Sequence, residues 1–176
     1  MKVLIVSDTH KKDENLRAVI RKEQPFDMMI HLGDSEGSEV YFEDWVRNER
    51  CSIYSVRGNN DFFSASPAER MIYIGHYRVF LTHGHMYGVS MSTARLREEA
   101  ASRGATIAMF GHSHRPHLAR PDGMIVLNPG SLSYPRQADR KGTYIVMTLD
   151  EEGEARFRLG NVEPKDIADL NADPEW

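Results

Sequence analysis

Apolar runs along the first two-thirds of the chain repeatedly end on polar residues of the types that bind metals. Val3 to Val6 leads into Asp8-Thr-His10, and Met28 to Leu32 (with His31 inside it) leads into Gly33-Asp34. Ile53 to Val56 leads into Gly58-Asn-Asn-Asp61, Val79 to Thr82 into His83-Gly-His85, and Thr106 to Phe110 into Gly111-His-Ser-His114. Short continuous apolar runs of this kind read as strands covered on both faces. Between the first two runs, Leu16, Val19 and Ile20 recur at helical spacing, with Asp13 as the expected N-cap and Pro25 as the stop. Strand, helix and strand then form a βαβ unit with a right-handed crossover. A second helix is expected from Ser38, with Phe42, Trp45 and Val46 inward, and a third from about Ser92 to Ser102, stopped by Gly104.

Elsewhere the pattern is that of hairpins. Met71 to Ile74 and Tyr77 to Thr82 flank Gly75-His76, a two-residue loop suited to a type II′ turn. His117 to Arg120 and Met124 to Leu127 flank Pro121-Asp-Gly123, and Thr143 to Leu149 and Ala155 to Leu159 flank Glu151-Glu-Gly153. Helices early and hairpins late predict two sheets packed face to face, with helices outside. One domain over residues 1–176 is expected. The acidic stretch 162–176 reads as a tail, either loosely held or docked through Leu170 or Trp176.

Composition narrows the function without naming it. The 176 residues suffice for one sizeable core. A net charge of -4 gives no basic track for extended nucleic acid, which is not expected as a partner. Cys51 is the single cysteine, which excludes an intrachain disulfide framework, and its flanks suggest a buried thiol. No run approaches the roughly 18 apolar residues of a membrane span, and Asp8 interrupts the first run too early for a signal peptide. A cytoplasmic protein without a membrane partner is the expectation; a homo-oligomer is left open.

The candidate ligands are Asp8, His10, Asp34, Asn59, His83, His112 and His114. Carboxylate oxygen and imidazole nitrogen together suit borderline and hard divalent ions. Seven donors exceed one four-coordinate site and match two ions sharing a carboxylate. Such a pair, roughly 3.5–4 Å apart, can clamp a phosphoryl group and activate water. Neither G-x-x-x-x-G-K-[ST] nor G-x-G-x-x-G occurs, so hydrolysis fits better than transfer from a nucleotide. Plain structural roles are expected for several neighbours: a packed core position for His31, a turn for His76, a loop-fixing cap for Asp61, a salt bridge for Arg57, and turn shaping for Asn128 and Ser131. Tyr41, Phe42 and Trp45 read as helix packing. Phe62 and Phe63 read as a substrate wall or an interface.

The ordered set Asp8-x-His10, Gly33-Asp34, Gly58-Asn59, His83-Gly84 and Gly111-His112-x-His114 resembles the calcineurin-like metallophosphoesterase superfamily. With Asn128-Pro-Gly-Ser131 and the short length, it is most similar to the small bacterial and archaeal phosphodiesterase group, which shares its fold with the retromer scaffold subunit of eukaryotes. The resemblance implies a four-layer αββα sandwich, two packed mixed sheets flanked by helices. It implies one metal on Asp8, His10, Asp34 and His114 and a second on Asp34, Asn59, His83 and His112, with Asp34 bridging. It further implies attack by a metal-bridging hydroxide on a small or nucleotide-like phosphodiester, with Mn2+ preferred and Fe, Ni, Zn or Mg open. Many members carry His where this chain has Asn60, and an amide is no general acid near neutral pH. His85 is the candidate substitute for phosphate contact or proton delivery, with a supporting hydrogen bond as the plainer role. The alternatives are a non-catalytic interaction scaffold on the same fold, or a phosphomonoesterase or phosphoprotein phosphatase.

Overall fold

The computed structural model describes residues 1–173. Among the described residues ten strands and four α-helices follow one another. They are β1 (Lys2–Val6), α1 (Asp13–Glu23), β2 (Met28–His31), α2 (Phe42–Val46), β3 (Ser52–Ser55), β4 (Glu69–Ile74), β5 (Tyr77–Thr82), α3 (Ala94–Ser102), β6 (Ile107–Met109), β7 (Pro116–Ala119), β8 (Ile125–Pro129), β9 (Thr143–Leu149), β10 (Ala155–Asn161) and α4 (Pro164–Ala172). One sheet has the order β10-β9-β1-β2-β3 and the other β4-β5-β6-β8-β7. Each is mixed: β1, β2 and β3 run parallel, as do β5, β6 and β8, while β9 and β10 in the first sheet and β4 and β7 in the second pair antiparallel to their neighbours.

Period-two alternation builds the layers. Val3 and Ile5 face the other sheet and join Ile30, Leu81, Met109 and Leu127 in the central core. Leu4 and Val6 point the opposite way, onto Leu16, Ile20 and Phe42 of the helices. On the far side, Phe80, Ala108 and Val126 pack against Leu96 and Ala100 of α3. The result is the αββα sandwich.

Several boundaries differ from expectation. Asp13 is the first residue of α1 and Lys12 occupies the cap, without a side-chain hydrogen bond. Ser38 opens a 3-10 turn over Ser38–Tyr41, and α2 proper is only five residues long, ended by Arg47 at φ 49°. The largest addition is α4, within the stretch read as a tail. The backbone N–H of Glu163 donates to Asp166 Oδ2 at 2.9 Å, which fixes the first turn. Leu170 is buried, and the Lys22 ammonium reaches Asp166 at 2.8 Å, fastening α4 to α1. A short, polar helix with few buried apolar residues leaves almost no periodic signal. Trp176 lies outside the described residues. No helix among the described residues is long and apolar enough to cross a membrane.

Candidate metal centre

The parallel strands of both sheets end at one edge, and the loops after them carry the candidate ligands. β1 delivers Asp8 and His10, β2 delivers Asp34, β3 Asn59, β5 His83, and β6 His112 and His114. Backbone bonds lock the first two loops together: Asp8 N–H donates to Gly33 O at 3.0 Å and His10 N–H to Asp34 O at 2.9 Å.

The side chains converge in two adjoining groups. Asp8, His10, Asp34 and His114 each offer one ligand atom within 4.8 Å of the others. His114 Nε2 lies 3.1 Å from Asp8 Oδ1, and His10 Nε2 lies 3.4 Å from His114 Nε2. In the second group His83 Nε2 and His112 Nδ1 approach Asn59 Oδ1 at 3.2 and 2.9 Å. Asp34 Oδ2 stands between the groups, 3.8 Å from His10 Nε2 and 3.4 Å from His83 Nε2.

The imidazoles are oriented from behind. His10 Nδ1 pairs with Glu36 at 2.7 Å, His83 Nδ1 with the carbonyl of Leu32 at 2.7 Å, and His114 Nδ1 with the carbonyl of Tyr134 at 2.7 Å. Each Nδ1 therefore carries a proton, and in the neutral ring each Nε2 turns a lone pair into the centre. Facing lone pairs and buried carboxylates repel unless a cation lies between them. Asp8 Oδ1, buried and without a well-directed hydrogen bond, is one such waiting acceptor. Protons can serve part of this purpose. Burial works against charge at His114 and His83, but Asp8 and Asp34 outweigh it and raise both imidazoles. Burial likewise opposes charge on Asp8 and Asp34, and the neighbouring His114 and His83 overcome it, holding both carboxyls below the usual range. At His112 burial wins, aided by the His83 charge, and the ring is pushed down. The donor set thus fits divalent ions.

A calcineurin-like phosphoesterase superfamily domain matches residues 1–152. The chain belongs to this superfamily. Among curated members it is 33% identical over 172 residues to the probable metallophosphoesterase YsnB of Bacillus subtilis, covering 97% of this chain and 96% of that one. It is 28% identical over 147 residues to the phosphodiesterase MJ0936 of Methanocaldococcus jannaschii, covering 74% of this chain and 83% of the other. Its fold is shared by Vps29 of Entamoeba histolytica solved in complex with zinc, at TM-score 0.69 and 19% identity, with 93% of this chain and all 100% of that one covered.

In this calcineurin-like chain, further residues secure the centre. The buried Asp61 carboxylate accepts the backbone N–H groups of Asp34 at 2.7 Å, Gly58 at 2.7 Å and Glu36 at 2.6 Å, so it binds the β2 and β3 loops to each other. Asn60 holds Asp34 directly: its backbone N–H donates to Oδ1 at 2.8 Å and its side-chain amide to Oδ2 at 2.7 Å. Ser131 Oγ donates to the Asp8 carbonyl at 2.8 Å, and the Asn128 amide donates to Gly111 O at 2.7 Å. Glycine permits the closest approaches. A methyl at Gly58 would overlap the Asp34 carboxylate, and one at Gly111 would overlap Ser7 Oγ. Five of the candidate ligands, Asp8, His10, Asp34, His112 and His114, have φ between 46° and 64°, a left-handed backbone that non-glycine residues seldom adopt.

The remaining histidines divide. His85 is half-buried near the rings of His83 and His112, at 5.5 and 6.1 Å, and its buried Nδ1 has no hydrogen-bond partner. Burial and the His83 charge push this imidazole down. His31 is buried and bonded to Thr9 at 3.1 Å and to the Gly33 N–H at 3.2 Å, with burial pushing it to about 4. His76 stacks on Tyr77 at the hairpin turn and His117 lies on β7, both outside the two groups. The salt bridge expected of Arg57 does not form among the described residues; its exposed charge acts on His85. Sequence reasoning missed Glu36 and Tyr134. For Glu36 the signal was a second carboxylate two residues after Asp34. Tyr134 acts through its carbonyl, which no side-chain pattern reveals.

Proposed function

We propose that this chain is a dinuclear phosphodiesterase acting on a small or nucleotide-like diester. The observation that carries the reading is Asp34 Oδ2, a single carboxylate oxygen placed between the donors of Asp8, His10 and His114 and a second group of imidazole and amide donors. Asp8, His10, Asp34 and His114 would hold one ion, and Asp34, Asn59, His83 and His112 the other. Two divalent ions in this cage, Mn2+ by preference for a mixed oxygen and nitrogen set, supply charge withdrawal from the phosphoryl oxygens and a water of lowered pKa.

The chain's own groups do the positioning. Asn60 occupies its amide on Asp34 and cannot give up a proton, which favours diesters with good leaving groups over alkyl monoesters. His85, whose imidazole burial pushes down, offers a hydrogen bond to a phosphoryl oxygen. Glu36, Leu32 O and Tyr134 O keep the three imidazoles aimed inward.

The deciding experiment is hydrolysis of bis-p-nitrophenyl phosphate and p-nitrophenyl phosphate by metal-stripped protein, with Mn2+ restored, beside Asp34→Asn. Diester turnover that needs both metal and Asp34, and exceeds monoester turnover, supports the reading. Binding of two ions without cleavage of either ester would leave a selective enzyme or a metal-bearing scaffold, the second being the reading that the Vps29 likeness favours.

A further inference from the structure

Two clefts of different chemistry adjoin one another, sharing Asn60 and Glu36 as common walls, and the second also borders the centre. The first, about 460 Å3, is bordered by Val40, Phe62 and Phe63. The two phenylalanines are 79% and 102% exposed, and unlike isolated apolar exposure they are consecutive in the chain and both line the same cleft. The second, about 560 Å3, is bordered by His10 and His114 of the centre and by Tyr134, Arg136 and Arg140.

The arginine arm is fastened to a candidate ligand at both ends of one residue. Arg136 N–H donates to His114 O at 3.0 Å, while Tyr134 O accepts from His114 Nδ1 at 2.7 Å. Both guanidinium groups are exposed, and neither forms an ion pair among the described residues; Arg140 makes one long bond, 3.4 Å, to the carbonyl of Pro135. The acidic group in this cleft, Glu36, is already paired with His10. Lys12, whose ammonium lies 4.3 Å from the centroid of the Tyr134 ring, adds positive charge. In a chain of net charge -4 this is a local excess of unpaired cations beside a phosphate-processing centre. Guanidinium is the side chain best suited to grip a second phosphate.

We infer that the substrate is an asymmetric phosphodiester, with a planar apolar group on the arm along Phe62 and Phe63 and a second anionic group, a phosphate, on the arm held by Arg136 and Arg140. The inference rests on the phosphodiesterase reading and assigns its substrate class.

The test uses two matched esters, thymidine 5′-(p-nitrophenyl phosphate) and the same compound carrying a 3′-phosphate, with Mn2+-loaded protein. The 3′-phosphorylated ester should have the higher kcat/KM by about tenfold or more, the scale of a charge-assisted pair. In the double variant Arg136→Gln, Arg140→Gln the ratio should fall to near one, and in Arg136→Lys, Arg140→Lys it should partly return. Phe62→Ala, Phe63→Ala should raise KM for both esters and leave the ratio alone. Equal efficiency in the unsubstituted protein, or a ratio that survives the double glutamine variant, overturns the subsite while leaving the diesterase standing. Should no ester be cleaved by metal-loaded protein, the diesterase reading fails. Calorimetric binding of thymidine 3′,5′-bisphosphate then decides the subsite: weaker binding in the glutamine variant supports it, and equal binding overturns it.

Discussion

At the scale of single residues, the centre depends as much on groups that hold ligands as on the ligands. Asp61 contributes no atom to the two groups, yet three backbone N–H donors rest on its carboxylate. Asp61→Asn replaces an acceptor by a donor facing those N–H groups, at a cost of about 1–3 kcal/mol. Calorimetric melting should show a fall of about 3–10 °C, with weaker Mn2+ binding. His85→Ala separates two roles. A phosphate contact predicts a loss of about tenfold for nitrophenyl and alkyl diesters alike, whereas a proton donor predicts a far larger loss for the alkyl ester. The candidate ligands were legible in the sequence because donors directly follow apolar strands. Glu36 and the Tyr134 carbonyl were not, because their contribution depends on which nitrogen of a distant ring they meet.

Among the elements, the strands were legible and the small helices were not. Continuous apolar runs identify β1, β2 and β6 because both faces of each are covered. By contrast α2 is five residues long, and α4 rests on caps, an ion pair and Leu170. Leu170→Ala should therefore raise amide exchange across 164–172 while hydrolysis stays unchanged. A second test concerns the join of α1 with β9 and β10. Glu23 accepts from Tyr144 at 2.7 Å and from Arg158 at 2.8 Å. Burial would push its carboxyl up, but Arg158, Tyr144 and Lys2 hold it below its ordinary value near 4.5. A depressed carboxyl stabilises the fold above the unfolded-state value and loses that contribution as pH falls through the folded-state value. Glu23→Gln should consequently melt lower than the unsubstituted chain at pH 7, by an amount equivalent to about 1–3 kcal/mol. The gap should persist to about pH 5.5 and close as the pH falls below 4.5. A gap independent of pH would assign the loss to packing alone.

For the whole molecule, the centre is a joint between two sheets. β1, β2 and β3 of one sheet and β5 and β6 of the other each supply donors, so an ion at the joint binds the folded chain and not its separated parts. Mn2+ at about a hundred times its dissociation constant should add about 2.7 kcal/mol per site and raise the melting temperature by about 5–10 °C, an increase that Asp34→Asn should largely lose. The left-handed backbone at Asp8, His10, Asp34, His112 and His114 bears on how such a protein changes over time. Each such residue carries a conformational cost of order 1 kcal/mol that the bare chain could shed by exchange for glycine. A laboratory selection for heat resistance in the presence of chelator should therefore accumulate replacements at these five positions early and discard the chemistry as it gains durability. The same selection with Mn2+ supplied should leave them intact.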